Sequence, residues 1–115
     1  MYTAVIPREE WVNFFNSFSC EHHGWLVSME IFTDEIGAQV EAKNLPLAGI
    51  AVDIKGSGAN NILITVGEKA GAQVTHTIRS PKQVCLERSN GGCDESLQIE
   101  SVSGEQTLLR FCGAD

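Results

Sequence analysis

Hydrophobic residues recur along this chain with two different periods, one before Gly24 and another after it. Before Gly24, four aromatic residues have the spacing of a single helical stripe: Trp11, Phe14, Phe15 and Phe18. Pro7 fits the first helical position, where its missing N–H costs nothing, and Gly24 is a natural helix end. The pattern predicts an amphipathic helix over about residues 8–22, whose aromatic face covers a sheet.

From Trp25 onward the period is two, which is typical of strands with one buried face and one wetted face. Eight candidate strands follow within about residues 25–112: 25–32, 38–43, 50–55, 62–66, 74–78, 84–86, 97–99 and 109–111. The segments between them, including 44–49 and 56–61, are rich in turn residues and too short for crossover helices. Consecutive strands are therefore expected to pair as hairpins.

These elements predict an α+β fold in one domain over residues 1–115, since 115 residues are about the length of a single domain. The N-terminal helix should pack on an antiparallel β-meander. Eight hairpin-linked strands either close into a barrel or form a strongly bent sheet, and the sequence leaves both alternatives open.

Charge and composition narrow the classes of partner. Fifteen acidic residues against eight basic ones give a net charge of −7, and the basic residues are scattered singly. Binding to phosphate backbones needs clustered Lys and Arg, so neither nucleic acid nor an anionic membrane is an expected partner. The apolar runs, such as 62–66, have the length of strands, whereas a spanning helix needs roughly 20 residues. Residues 1–7 do not resemble a secretory signal, which predicts a cytoplasmic protein.

The cysteines are spaced unlike a structural zinc site, because no two of them form a C-x-x-C pair. They are Cys20, Cys85, Cys93 and Cys112. In a cytoplasmic protein they are expected to be free thiols.

The densest group of metal-ligating side chains lies at the predicted end of the helix. Cys20 and His23 are three residues apart and could approach one metal, with His22 between them. A third and fourth ligand in paired spacing are missing, so these three residues are weak candidates and we expect neither a metal nor a cofactor. The alternative is an ordinary helix terminus, where a charged histidine suits the negative end of the helix dipole.

His76 is the single most interesting position. Alternation places it on the inward face with Val74 and Ile78. There it could bind a ligand or act as a base; the simpler interpretation is a neutral histidine at the core or its rim, hydrogen-bonded to the backbone. No catalytic residues are assigned, because spacing alone supplies no Ser–His–Asp arrangement. The glycine-rich segment 56–61 lacks the Lys-Ser/Thr of a phosphate loop.

Several stretches resemble an uncharacterised bacterial family of small proteins of unknown function, and the resemblance covers most of the chain. They are residues 6–15, 24–27, 36–42, 45–47 and 108–111. The resemblance implies a bacterial cytoplasmic protein and brings no catalytic signature with it.

Three functions remain, in order of preference. The first is a non-enzymatic protein-interaction or accessory domain, which binds a protein partner or forms a homodimer through a sheet edge or an apolar patch. Four apolar residues on the nominally polar face are candidates for that patch: Leu26, Phe32, Leu63 and Leu108. The second is a small-ligand-binding barrel around His76, with Met29 and Trp25 in its interior. The third is an enzyme of unassigned class.

Overall fold

The computed structural model describes residues 2–54, 60–67, 71, 73–88 and 95–112. Within these ranges the helical elements are a 3-10 helix, Arg8–Glu10, and α1, Trp11–Glu21. The strands are β1 (Tyr2–Ile6), β2 (Leu26–Thr33), β3 (Gly37–Ile54), β4 (Asn60–Gly67), β5 (Gln73–Arg79), β6 (Pro81–Arg88), β7 (Glu95–Ser101) and β8 (Gln106–Cys112). The predicted N-terminal helix is confirmed, with a 3-10 turn at its start.

The helix α1 buries the predicted aromatic stripe. Trp11, Phe15 and Phe18 are at most 2% exposed, and Phe14 packs against the same core from a partly buried position. The Trp11 indole N–H donates to the Ile6 carbonyl oxygen at 2.9 Å, which fixes the start of the helical segment to the end of β1. Because these large rings are removed from water, burial of this face is the main stabilisation of so short a helix.

The eight described strands form an antiparallel sheet in the order β1-β6-β7-β8-β2-β3-β4-β5. Strands β2 to β5 follow one another as hairpins, as do β6 to β8, and β8 then pairs with β2. The sheet therefore consists of two meanders, β2–β5 and β6–β8, joined by the β8–β2 pair. The expectation that consecutive strands pair as hairpins is wrong for β5 and β6, which are not neighbours in the sheet. The α+β fold is confirmed, and of the two alternatives the structure shows an open sheet, not a closed barrel.

Strand β3 joins two segments that the sequence pattern predicts as separate strands. Its first part, 37–46, pairs with β2, and its second part, 47–54, pairs with β4. The predicted turn over 44–49 is wrong, because the chain continues as a strand through an irregularity where Asn44 has a φ of +52°. A bulge bends a strand, and asparagine tolerates positive φ. The turn-type residues here mark a bend where β3 exchanges one neighbour for another.

Strand β1 is absent from the sequence prediction. It pairs with β6, from Ile6 opposite Val84 to Tyr2 opposite Arg88. A five-residue segment that ends at a proline has too little periodicity to reveal a partner so distant in sequence. The observed number of strands equals the predicted number only because β1 adds one strand and the long β3 removes one.

The core lies between α1 and the inward face of the sheet. Alternate strand residues supply it, as the period of two predicts; examples that are fully buried are Val27, Met29, Leu97, Ile99 and Leu109. Phe18 of α1 contacts Phe111 of β8 edge to face, with ring centroids 5.0 Å apart. The helix and the two hairpin series therefore share one hydrophobic core.

Candidate functional site at the open edge of the sheet

Strand β5 is one of the two outer strands of the sheet and carries His76. Its inward side chains become more buried towards Ser80: Val74 is 39% exposed, His76 is partly buried and Ile78 is fully buried. His76 thus lies on the inward face, as its alternation with the exposed Thr75 and Thr77 predicts. It sits at the rim of the core, not in its centre.

The hydrogen bonds of Ser19 establish which way the backbone of the neighbouring strands points. The Ser19 hydroxyl donates to the Ile50 carbonyl oxygen and accepts from the Ile50 N–H, both at 2.9 Å. Ile50 therefore directs its backbone groups towards α1 and away from its partner on β4, Ile64. Because the direction alternates across an antiparallel ladder, Ile64 directs its own groups towards β5. Its partner there is His76, which is thereby hydrogen-bonded to β4.

The two residues beside His76 consequently direct their backbone groups away from the sheet. Thr75 and Thr77 alternate with His76, so their N–H and C=O groups point to the free edge of β5. The hydroxyl oxygens of Thr65 and Thr75 are 3.1 Å apart, as the close side-chain approach of a non-hydrogen-bonded pair allows. The same alternation turns the backbone groups at both ends of β5 outward.

The free edge of β5 lacks the features that usually protect an edge strand. Proline, lysine, inward charges and bulges are the common protective devices. Residues 74–78 contain no proline and no charged lysine, arginine or carboxylate side chain, and they are β-branched apart from His76. The pairing of β5 with β4 is regular from Gln73 to Arg79. In a protein with a net charge of −7, this strand carries no carboxylate.

A cleft of about 560 Å³ lies beside this edge, where β5 ends and the β7–β8 turn approaches it. The chain passes from β5 to β6 through Ser80 alone, with a φ of +50°. The Val102 N–H donates to the Ser80 carbonyl oxygen at 2.9 Å and holds the β7–β8 turn against this corner. The residues that line the cleft are His76, Thr77, Arg79, Ser80, Ser101, Val102, Ser103 and Glu105.

The Nε2 atom of His76 is buried and has no hydrogen-bond partner within the described part of the chain. Buried polar atoms in proteins are nearly always paired, so such an atom marks a locally unfavourable arrangement. The simpler interpretation, in which the His76 ring is hydrogen-bonded to the backbone, therefore does not hold for Nε2. Met29 and Trp25, which were predicted to share an interior with His76, do not line its cleft; Met29 is fully buried in the core.

The three weak metal candidates lie in different environments. His22 is 4% exposed and stacks on Phe18, with ring centroids 3.8 Å apart and planes 18° apart. Its Nδ1 lies 2.9 Å from the Phe18 carbonyl oxygen, which can only accept, so Nδ1 carries the proton. Cys20 and His23 are exposed. Within residues 2–54, 60–67, 71, 73–88 and 95–112, no three His, Cys, Asp or Glu side chains are grouped as metal ligands.

The predicted apolar patch is more dispersed than the sequence suggests. Leu26 is 39% exposed, whereas Phe32, Leu63 and Leu108 are partly buried. Leu63 lies on β4, away from the β2–β8 pair that carries the other three. These residues do not form one continuous surface in the register of the sheet.

Two of the four cysteines can be assigned. Cys20 is exposed and Cys85 is partly buried, and both are free thiols. The Gln83 side-chain amide lies 3.2 Å from the Cys85 sulfur. Cys93, the side chain of Cys112 and most of the glycine-rich segment 56–61 lie outside the described residues.

Sequence reasoning did not identify Arg79, Ser101 and Glu105 as neighbours of His76. The contact of residues 101–105 with the end of β5 depends on the folding of the whole sheet. No local pattern joins these residues.

A model of a family of unknown function, DUF5335, matches residues 2–113. The chain belongs to the DUF5335 family. The resemblance stated from the sequence is thereby confirmed over nearly the whole chain. An uncharacterised protein of Aquifex aeolicus (strain VF5) is 29% identical to this DUF5335 member over 112 residues, which are 96% of this chain and 93% of the relative. No solved structure matches the chain.

The only helical elements in the described ranges of this DUF5335 protein are short. None of them is long and apolar enough to cross a membrane.

Proposed function

We propose that this DUF5335 protein is a non-enzymatic interaction domain that self-associates through the free edge of β5. The proposal rests on the outward direction of the backbone groups of Thr75 and Thr77 on an outer strand whose residues 74–78 include no proline and no ionisable side chain other than His76. Unpaired N–H and C=O groups along a regular strand are a template for one further antiparallel strand. A second copy of the chain supplies an identical β5 strand.

A twofold axis at His76 gives the most complete pairing. It sets Thr75 opposite Thr77 of the second copy and Gln73 opposite Arg79, so that every outward residue of β5 has a partner. Such an arrangement supplies about eight main-chain hydrogen bonds, two for each hydrogen-bonded pair. An axis at Thr75 would set Arg79 opposite Gly71, which lies outside the strand, and would lose about two of these bonds.

Charge also favours pairing at this edge. Two copies with a net charge of −7 repel one another over most of their surfaces. The strand β5 contains Arg79 and no carboxylate, so no carboxylates of the two strands would face one another where they meet.

The dimer is expected to be weak. One pair of seven-residue strands buries less than the roughly 1,000 Å² that characterises stable interfaces. We therefore expect association that depends on protein concentration in the micromolar range or above. The other outer strand, β1, has only five residues, and its sequence differs from that of β5. Pairing of β1 of one copy with β5 of the next would therefore build an open chain of subunits instead of a closed dimer.

The test is sedimentation equilibrium of the wild-type chain and of the double variant Thr75→Lys/Thr77→Lys over a range of protein concentrations. In the proposed register the new lysines face one another across the axis, and like charges directly opposite are destabilising. The variant should remain monomeric where the wild type dimerises. Asn13→Lys/Ser17→Lys is the control, since it adds the same charge at exposed positions of α1.

Three results would contradict the proposal. They are a wild type that stays monomeric at the highest soluble concentration, a Thr75→Lys/Thr77→Lys variant that still dimerises, and an Asn13→Lys/Ser17→Lys control that loses the dimer to the same extent. Circular dichroism of each variant shows whether the monomer remains folded.

A cytoplasmic location is part of the same proposal. The free thiols of Cys20 and Cys85 support a reducing compartment. Fractionation of cells that express the tagged protein tests it, and recovery from an oxidising compartment would contradict it.

A further inference from the structure

We infer that the cleft beside His76 binds a small zwitterion, a molecule that carries one carboxylate and one ammonium group. The inference concerns a surface next to the proposed dimer edge and goes beyond self-association. The cleft's volume of about 560 Å³ falls within the range of small-molecule sites, about 300–1,000 Å³.

Two opposite charges line this cleft without neutralising each other. Arg79 ends β5, and Glu105 follows the β7–β8 turn. Neither side chain makes a hydrogen bond or an ion pair within the described part of the chain. An unpaired guanidinium binds a carboxylate through two parallel N–H donors, and an unpaired carboxylate accepts from an ammonium group. One ligand with both groups would satisfy both side chains.

Polar groups also line the cleft. Three serines (Ser80, Ser101 and Ser103) and Thr77 contribute hydroxyl groups, each of which can donate and accept. Ser101 is 3% exposed and lies on the buried side of the cleft. The rim carries Val102, which is 70% exposed and suits the aliphatic part of a ligand. Convergent polar groups with an apolar contact are typical of sites that orient a small molecule.

The β7–β8 turn fixes the geometry of the pair. The Ser101 N–H donates to the Glu105 carbonyl oxygen at 2.9 Å and the Val102 N–H donates to Ser80 at 2.9 Å. Glu105 is therefore on a segment that is hydrogen-bonded both to itself and to the end of β5. The backbone segments that carry the two charges are thus joined at one corner by hydrogen bonds, so little backbone ordering is needed on binding.

The experiment is a titration followed by isothermal calorimetry and by amide NMR shifts. The probes are glycine, β-alanine, γ-aminobutyrate and ε-aminocaproate, which increase the distance between the carboxylate and the ammonium group step by step. Butyrate and butylammonium carry one of the two charges each. We expect one zwitterion of the series to bind at least about tenfold more tightly than either single-charge molecule, since a charged hydrogen bond typically contributes that factor.

Two variants test which side chain binds which charged group of the ligand. Glu105→Gln keeps the size and polarity of the side chain, and Arg79→Gln keeps a polar but shorter one; each removes one charge and should weaken the best zwitterion about tenfold. The affinity for butyrate should fall only in Arg79→Gln, and that for butylammonium only in Glu105→Gln. Lys82→Gln, which removes an exposed charge that is not among the lining residues, is the control and should bind like the wild type.

The inference is overturned if no probe of the series binds at millimolar concentration, if butyrate or butylammonium binds as tightly as the best zwitterion, or if neither variant changes the affinity. The same titration of Thr75→Lys separates it from the proposed function, because Thr75 does not line the cleft. If sedimentation shows Thr75→Lys to be monomeric and it still binds the zwitterion, the site functions without the dimer. Loss of binding by a folded variant would contradict a site within one chain.

Discussion

Replacement of Ser19 by alanine removes one hydroxyl that satisfies two backbone groups of another element. The Ser19 O–H donates to the Ile50 carbonyl oxygen, and the Ser19 oxygen accepts from the Ile50 N–H. In this second part of β3, the edge opposite β4 faces α1. Without the hydroxyl, both backbone groups of Ile50 lose their partner at a partly buried position.

The expected cost follows from two opposing contributions. Loss of two hydrogen bonds costs about 2 kcal/mol, at about 1 kcal/mol net for each. Alanine is the better helix former and returns about 0.5 kcal/mol. The free energy of unfolding should therefore fall by about 1.5 kcal/mol, which for a domain of this size lowers the melting temperature by about 6 °C.

Ser17→Ala is the matched control, because it makes the same substitution two residues earlier at an exposed position of α1. This variant gains the helix propensity without losing the bonds to Ile50, so it should be stabilised by about 0.5 kcal/mol. The two variants should thus differ by about 2 kcal/mol. Urea unfolding followed by circular dichroism measures the difference, and amide exchange at Ile50 should become faster in Ser19→Ala alone.

Equal stability of the two serine variants would refute the reasoning. It would mean that Ser19 does not bond the edge of β3, and the direction of the β4 and β5 backbones would lose its support. The prediction therefore also tests the geometric basis of the proposed dimer.

Two further predictions concern the core and the thiols. Phe18→Ala should lower the free energy of unfolding by about 3–5 kcal/mol, because Phe18 is 2% exposed and contacts aromatic rings on two sides. Phe14→Ala should lower it clearly less in the same urea experiment. Equal losses would show that the aromatic stripe is not oriented as described. Cys20 should react with a maleimide faster than Cys85 in the folded protein, since Cys20 is exposed and Cys85 is partly buried. Peptide mass mapping of the labelled chain measures both rates, and faster labelling of Cys85 would contradict the assigned exposures.

The sequence predicts the local elements well where one period continues over a whole element. The stripe of α1 and the alternation of β2, with Val27 and Met29 buried, depend on spacing alone. Asn44 misled the prediction, because a bulge inside a strand and a turn between strands need the same positive φ. A single sequence does not distinguish the two.

The candidate site depends on relations that no local pattern contains. His76 could be assigned to the inward face from alternation, yet its position at an open edge follows from the strand order. Arg79 and Glu105 share a cleft because Val102 is hydrogen-bonded to Ser80. Contacts of this kind are set by the packing of the whole sheet, so the sequence could suggest His76 and could not suggest its neighbours.

The strand order also determines when the sheet can form during synthesis. Strand β1 pairs with β6, and β2, which pairs with β3 on one side, pairs with β8 on the other, so β1 and one edge of β2 find their neighbours only after late segments have left the ribosome. Closing long loops makes such non-local pairing slow, and the waiting strands are open to wrong partners in the meantime. The hairpins of β2 to β5 need no later segment, so they can form first and leave the first strand and the last three to assemble around them.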